Sequence, residues 1–183
     1  MKHIDMSNIQ EAGDFTTLPA GVYICVIRDV EDVSDKEYLK ITYDIAEGEF
    51  KGYYDDIRGN HPDWAWTGAY VKSYKEKALP MFKRFCTAVS RSNGSFIFDG
   101  NTVNADERTL IGKKIGIVLG EEEYWSNSGD KKTRLYVFKE FPISQVDDQK
   151  IPNKKMIKDD DADKKELDGF MTVPDSSMEE IPY

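Results

Sequence analysis

Residues 38–45 read Tyr-Leu-Lys-Ile-Thr-Tyr-Asp-Ile, so Leu39, Ile41, Tyr43 and Ile45 recur at every second position. Only an extended strand brings such a set to one face, and the segment therefore demands a sheet with a buried side. Residues 21–28 form a near-continuous β-branched and aromatic run after the turn-forming Leu18-Pro19-Ala20-Gly21, and they predict a first strand. The acidic residues 29–37 link the two strands as a hairpin loop. After the turn at Glu47-Gly48-Glu49, residues 50–57 resume an extended pattern and predict a third strand of the meander. From Leu79 the period changes: Leu79, Phe82, Phe85, Cys86 and Val89 share one face of a helix, with Pro80 in its first turn and Asn93-Gly94 closing it. Residues 114–119 and 133–139 are again strand-like, joined by a long loop holding Tyr124, Trp125 and Gly129-Asp130. No internal repeat is visible.

Three antiparallel strands, a helix and two more strands is the element order of an OB-fold, a five-stranded, partly open barrel that binds oligonucleotides on one face and with its loops. An immunoglobulin-like sandwich would need about seven strands and no central helix. The expected architecture is thus mainly β, with one main helix between strands three and four. It occupies residues 1–148, with a disordered acidic tail over 149–183. The tail is poor in apolar residues and holds three of the seven prolines, so it buries too little to offset its ordering entropy.

The net charge of −9 at first argues against a nucleic-acid partner. Its distribution changes the argument. Residues 159–183 hold nine acids and two bases, net −7, whereas residues 1–158 hold 25 acids and 23 bases, net −2. Most of the acidity is separable from the core. No apolar run approaches the roughly 20 residues of a membrane-spanning helix, so a soluble protein is expected. Met1-Lys2-His3-Ile4-Asp5 has no signal-peptide core and nothing directs export. Cys25 and Cys86 lie in apolar runs, which fits buried thiols in a reducing cytoplasm better than a disulfide.

Catalysis finds little foothold. His61 has acidic neighbours in Asp55, Asp56 and Asp63, yet a solvated loop accounts for them as well. Asp55 and Asp56 with Glu121, Glu122 and Glu123 could in principle hold the metal ions of a nuclease, although no spacing supports the cluster. Gly112 and Gly116 lack the phosphate-cradling pattern, no nucleophile elbow surrounds a serine, and neither cysteine has a histidine nearby in sequence. No cofactor or metal is expected.

The aromatic content is more informative: 9 Phe, 10 Tyr and 3 Trp exceed what one core needs. Single strands are held by bases stacked on aromatic faces beside Lys and Arg that follow the phosphates. Two segments mix these types. One runs from Lys51, Tyr53, Tyr54 and Arg58 on the expected third strand into Trp64, Trp66, Tyr70 and Lys72; either tryptophan could equally plug the barrel end. The other is the last hairpin loop, with Tyr124, Trp125, Lys131, Lys132 and Arg134. On the second strand Lys40 points away from the core parity and could meet a phosphate.

Two resemblances extend this reading. Residues 174–183 read Pro-Asp-Ser-Ser-Met-Glu-Glu-Ile-Pro-Tyr and resemble the acidic tip of bacterial single-stranded DNA-binding proteins, with Tyr183 where that tip carries a Phe. Such a tip offers an apolar anchor and a carboxylate to a basic-rimmed pocket on a partner, which makes Met178, Glu179, Glu180, Ile181, Pro182 and Tyr183 candidate partner-binding residues. Leu18-Pro19-Ala20-Gly21-Val22-Tyr23, Tyr38-Leu39-Lys40-Ile41, Gly48-Glu49-Phe50-Lys51-Gly52, Met81-Phe82-Lys83-Arg84-Phe85 and Leu110-Ile111-Gly112-Lys113-Lys114 are similar to a family of bacteriophage proteins long catalogued as a domain of unknown function. That family includes OB-fold single-stranded DNA-binding proteins of replication and recombination modules. The resemblances imply a non-enzymatic protein that coats single-stranded DNA in the cytoplasm of a bacterial host. Its tail would recruit phage or host replication, recombination and repair proteins, and homo-oligomers are compatible with the role. The alternatives are an OB-fold adaptor that binds only protein, and the metal-dependent nuclease.

Overall fold

A computed structural model describes residues 17–60, 68–100, 106–126 and 128–157. Five strands, β1 (Gly21–Val33), β2 (Tyr38–Ile45), β3 (Ala69–Ser73), β4 (Lys114–Trp125) and β5 (Lys131–Phe141), form one antiparallel sheet in the order β3-β2-β1-β4-β5. The mainly β, five-stranded antiparallel architecture expected from the periodicity is present. Helix α1 (Tyr53–Asn60) lies between β2 and β3, and the longer α2 (Leu79–Ser92) between β3 and β4.

β1 is shared by both halves of the sheet. Its first residues, Gly21 to Val26, pair with β4, whereas Cys25 to Val33 pair with β2 past an irregularity between Ile27 and Asp29. The alternation in β2 is realised as read, since Leu39, Ile41, Tyr43 and Ile45 are buried while Lys40 is exposed. Those side chains join Cys25, Ile27, Ile115, Ile117 and Leu119 in the core, covered by Phe85, Cys86, Ala88 and Val89 of α2. Leu79, expected on that buried face, is instead 47% exposed at the start of the helix. Asn93 ends α2 and ties it to the sheet: its side-chain amide donates to the carbonyls of Val89 and Lys114, both at 2.7 Å, and its oxygen accepts the Lys114 N–H at 2.9 Å.

The expected third strand at residues 50–57 is not a strand. The chain turns through Gly52 at φ 80° and enters α1 at Tyr53. The cause lies in β2: the fully buried Asp44 carboxylate accepts the backbone N–H groups of Ile45 at 2.8 Å, Tyr54 at 3.0 Å and Asp55 at 3.4 Å. It supplies acceptors that the first turn of a helix lacks. Burial pushes the Asp44 carboxyl above its ordinary value, against the pull of the Tyr54 and Ile45 N–H groups. The third strand is Ala69–Ser73.

The two edge strands meet. Lys72 of β3 donates to both carboxylate oxygens of Glu140 on β5, at 2.7 and 2.8 Å. In a flat sheet, edges four inter-strand steps apart would be separated by roughly 19 Å. The sheet is therefore curled, with a buried ion pair across its opening. Close approach on the β4 side depends on Gly116, where a Cβ would lie 2.3 Å from the Phe141 ring.

Candidate nucleic-acid interface

β1 covers β4 only as far as Leu119, opposite Gly21, while the β4–β5 ladder continues to Trp125 opposite Lys131. Residues 120–125 and 131–136 thus form a two-stranded arm beyond β1. A long loop was expected here, because Glu121, Glu122 and Glu123 look like a solvated turn in the one-dimensional sequence. In the ladder Glu122 and Glu123 face Arg134 and Thr133, next to Lys132 and Lys131, and opposite charge across the strands sustains the pairing. The turn is short and internally bonded: the Ser126 N–H donates to the Asp130 carbonyl at 2.8 Å, and the Asp130 N–H to the Ser126 hydroxyl at 3.0 Å.

Cross-strand partners share a face. One face carries Tyr136, Glu122 with Arg134, and Tyr124 with Lys132; the other carries Leu135, Glu123 with Thr133, and Trp125 with Lys131. On the first face the Arg134 guanidinium lies 4.9 Å from the Tyr124 ring centroid. On the second, Leu135 packs against the core and the Lys131 ammonium lies 5.7 Å from the Trp125 ring. Cations resting on ring faces are the arrangement that stacking sites for nucleobases also use. Trp125 is half-buried, and its indole N–H has no hydrogen-bond acceptor among the described residues.

Residues 151–157, which the sequence assigns to the tail, lie along β4 on the arm. Lys155 forms a parallel bridge with Glu122: its N–H donates to the Glu121 carbonyl and its carbonyl accepts the Glu123 N–H, both at 2.9 Å. The Lys155 ammonium sits 3.7 Å from the Tyr136 ring centroid. Phe138, at the irregularity of the β4–β5 ladder, is 45% exposed with its ring edge-on to Tyr136 at 6.4 Å. Tyr136, Phe138, Lys154 and Lys155 are absent from the sequence-based site. The signal for the first two was the every-second-residue series Lys132, Arg134, Tyr136, Phe138; for the lysines there was none, because only the fold brings them to the arm.

The arm brings Tyr124, Trp125, Lys131, Lys132 and Arg134 together, on paired strands instead of in the expected loop. The remaining candidates are dispersed. Tyr54 is buried in contact with Tyr43 and Tyr53, at ring distances of 5.5 and 5.1 Å, and burial holds its phenol well above the ordinary value. Tyr70 faces inward beside Tyr43, its hydroxyl buried, and burial followed by the nearby Glu140 pushes its phenol up in the same way. Lys72 is 8% exposed and engaged with Glu140. Tyr54 turns inward because residues 53–60 form α1 instead of the expected strand, and Tyr70 and Lys72, two residues apart in β3, share the strand face that meets the core. Tyr53 is half-buried, its hydroxyl accepting the Leu18 N–H at 3.2 Å.

Lys40 is exposed on the outer face of β2, 4.0 Å from Glu31, and Lys51 is exposed in the turn before α1. Arg58, in the last turn of α1, meets Asp55 at 2.7 Å. Arg28 contacts the same carboxylate from β1, and together with Asp29 and Thr42 these groups line a polar cleft of about 350 Å³. Trp64 and Trp66, and Met178, Glu179, Glu180, Ile181, Pro182 and Tyr183, lie outside the described residues.

Of the groups weighed for a metal site, His61 and Asp63 lie outside the described residues, and three others are engaged with cations. Asp55 is held by Arg28 and Arg58, Glu122 by Arg134, and Glu123 by Lys131 and Lys154. Among the described residues no group of three or more His, Cys, Asp or Glu could hold a metal ion. Cys25 and Cys86 are buried free thiols, and burial pushes Cys86 up to about 11 and Cys25 higher still. Among those residues, too, no helix is long and apolar enough to cross a membrane. The chain matches no protein-family model and no curated protein, so its function has to be argued from the chemistry of the arm.

Proposed function

We propose that the chain is a single-stranded DNA-binding protein with an OB-fold core, serving replication or recombination of a bacteriophage in its host cell. The observation that carries the reading is the interleaving of rings and cations on one hairpin arm: Tyr124 under Arg134, Trp125 beside Lys131, and Lys132 between them in sequence. Stacking gives affinity without base preference and the cations follow the backbone, which suits a protein that must coat any sequence.

Three features support the OB assignment: the strand order β3-β2-β1-β4-β5, the sharing of β1 between both halves of the sheet, and the Lys72–Glu140 pair drawing the edges together. Lys40 and Arg58 extend the basic groups toward the outer face of β2. The acidic residues 159–183 would act apart from the core, as a competitor for the cationic surface and as the recruiting element that the tip sequence resembles.

The deciding experiment is a titration of labelled single-stranded and duplex DNA across salt concentrations. Retention of single strands in preference to duplex, with affinity falling linearly on a log–log salt axis, is the expected result. An absence of binding at low salt would leave the protein-only adaptor as the better account, and magnesium-dependent degradation of the strand would point to the nuclease.

A further inference from the structure

We infer that residues 151–157 are a strap that converts the hairpin arm from a neutral-to-acidic surface into a cationic one, and that Lys154 and Lys155 belong to the site that meets the phosphate backbone. The inference rests on the single-strand reading above and specifies which chain elements make up that site.

The arm does not carry a favourable charge by itself. Residues 121–134 contain four acids (Glu121, Glu122, Glu123, Asp130) and three bases (Lys131, Lys132, Arg134), net −1. Adding Lys154 and Lys155 reverses the sign to +1. The placement is more telling than the count. Glu122 lies between Arg134, at 2.9 Å, and Lys155, at 3.6 Å. Glu123 lies between Lys131, at 3.6 Å, and Lys154, at 3.5 Å. Glu122 and Glu123 are thus each flanked by one cation from β5 and one from the strap, once on each face of the arm. The strap adds a second cation to each of these glutamates, beside a ring that a base could cover.

The strap's seat is built into β4. Two backbone hydrogen bonds tie Lys155 to Glu121 and Glu123, and the Ile157 N–H donates to the Glu123 carboxylate at 3.3 Å. Gly120 leaves room for it, since a Cβ there would stand 2.8 Å from the Pro152 ring. The Lys154 ammonium also donates to the Thr133 hydroxyl at 2.8 Å, crossing to β5. The Lys155 side chain remains 57% exposed, so its ammonium, 3.7 Å from the Tyr136 centroid, is open to a phosphate.

The test uses the full chain carrying Lys154→Gln and Lys155→Gln together, compared with the unaltered protein and with Lys83→Gln/Arg84→Gln on the exposed side of α2. Binding of labelled oligothymidine is measured from low to moderate salt. Each lost phosphate contact lowers the log–log salt slope by about 0.7, so the strap variant should lose about 1.4 in slope and several-fold in affinity at low salt, with the α2 variant close to the unaltered protein. An unaltered protein that binds, together with a strap variant of the same slope and affinity, would overturn the strap while leaving the single-strand reading intact. An unaltered protein that fails to bind would overturn that reading itself. Equal losses in the strap and α2 variants would show a general charge effect and would also overturn the strap. An unchanged thermal midpoint of the strap variant assigns its loss to the contact.

Discussion

The Lys72–Glu140 pair makes the curled sheet testable. Lys72 is 8% exposed and Glu140 3%, and the ammonium bonds both carboxylate oxygens at 2.7 and 2.8 Å. At an effective dielectric constant near 20, unit charges at that separation attract by roughly 6 kcal/mol. Removing two ions from water costs several kcal/mol each, so the net value of the intact pair is small. Breaking it is another matter. Lys72→Met leaves the buried Glu140 carboxylate near Tyr70 with its cation gone, and should destabilise the fold by about 3–5 kcal/mol. Lys72→Met with Glu140→Leu removes both charges and keeps the volume, and should recover most of that loss. Urea denaturation of the four proteins in the cycle gives the coupling, provided the m-value stays constant. The single variants should also lower the thermal midpoint by roughly 10 °C, taking about 3 °C per kcal/mol for a domain of this size. A loss below 1 kcal/mol in either single variant, or a double variant as unstable as the sum of the singles, would refute the idea that this pair bridges the edges in a low-dielectric interior.

Trp125→Ala should weaken oligothymidine and oligocytidine binding by a similar factor, corresponding to about 1–3 kcal/mol per stacked base; an unaltered dissociation constant by fluorescence anisotropy removes Trp125 from the site. Deleting residues 159–183, which carry a net −7, should tighten binding at low salt and have little effect at high salt, and unchanged or weaker low-salt affinity would exclude competition by the tail. Asp44→Ala strips the buried acceptor from the N–H groups of Ile45 and Tyr54 and should cost about 1–3 kcal/mol in chemical denaturation, whereas a neutral effect would mean that α1 is nucleated by something else.

What could be read from the sequence follows the range of the forces involved. β2 was legible because alternation of Leu39, Ile41, Tyr43 and Ile45 is a local consequence of one buried face. The central part of α2 was legible for the same reason, with Phe85, Cys86 and Val89 inward. α1 was not, because the group that starts it, Asp44, lies ten residues before Tyr54 and acts through the tertiary fold. Tyr54, Tyr70 and Lys72 looked like contact residues by type alone; α1 turns Tyr54 inward, and the approach of β3 to β5 encloses Tyr70 and Lys72. The arm's rings and cations were visible by composition, whereas the extension of β4 to Trp125 was hidden, since Glu121, Glu122 and Glu123 become favourable in a strand only opposite the bases of β5.

The strap bears on how a core of net −2 could hold a polyanion. Charge summed over the chain describes its long-range field, but screening limits each group to about 10 Å at ordinary salt, so what a phosphate meets is the local sign. At the arm that sign is set by Lys154 and Lys155, and the same stretch of chain leads directly into the acidic run. Asp159 is two residues beyond Ile157 in sequence, and the Ile157 N–H is bonded to Glu123. A competitor tethered that closely acts at a high effective concentration and needs little intrinsic affinity. On this reading the C-terminal chain acts with opposite signs on either side of Lys158: shortening it to that point should raise affinity for single strands, and neutralising the two lysines before it should lower affinity.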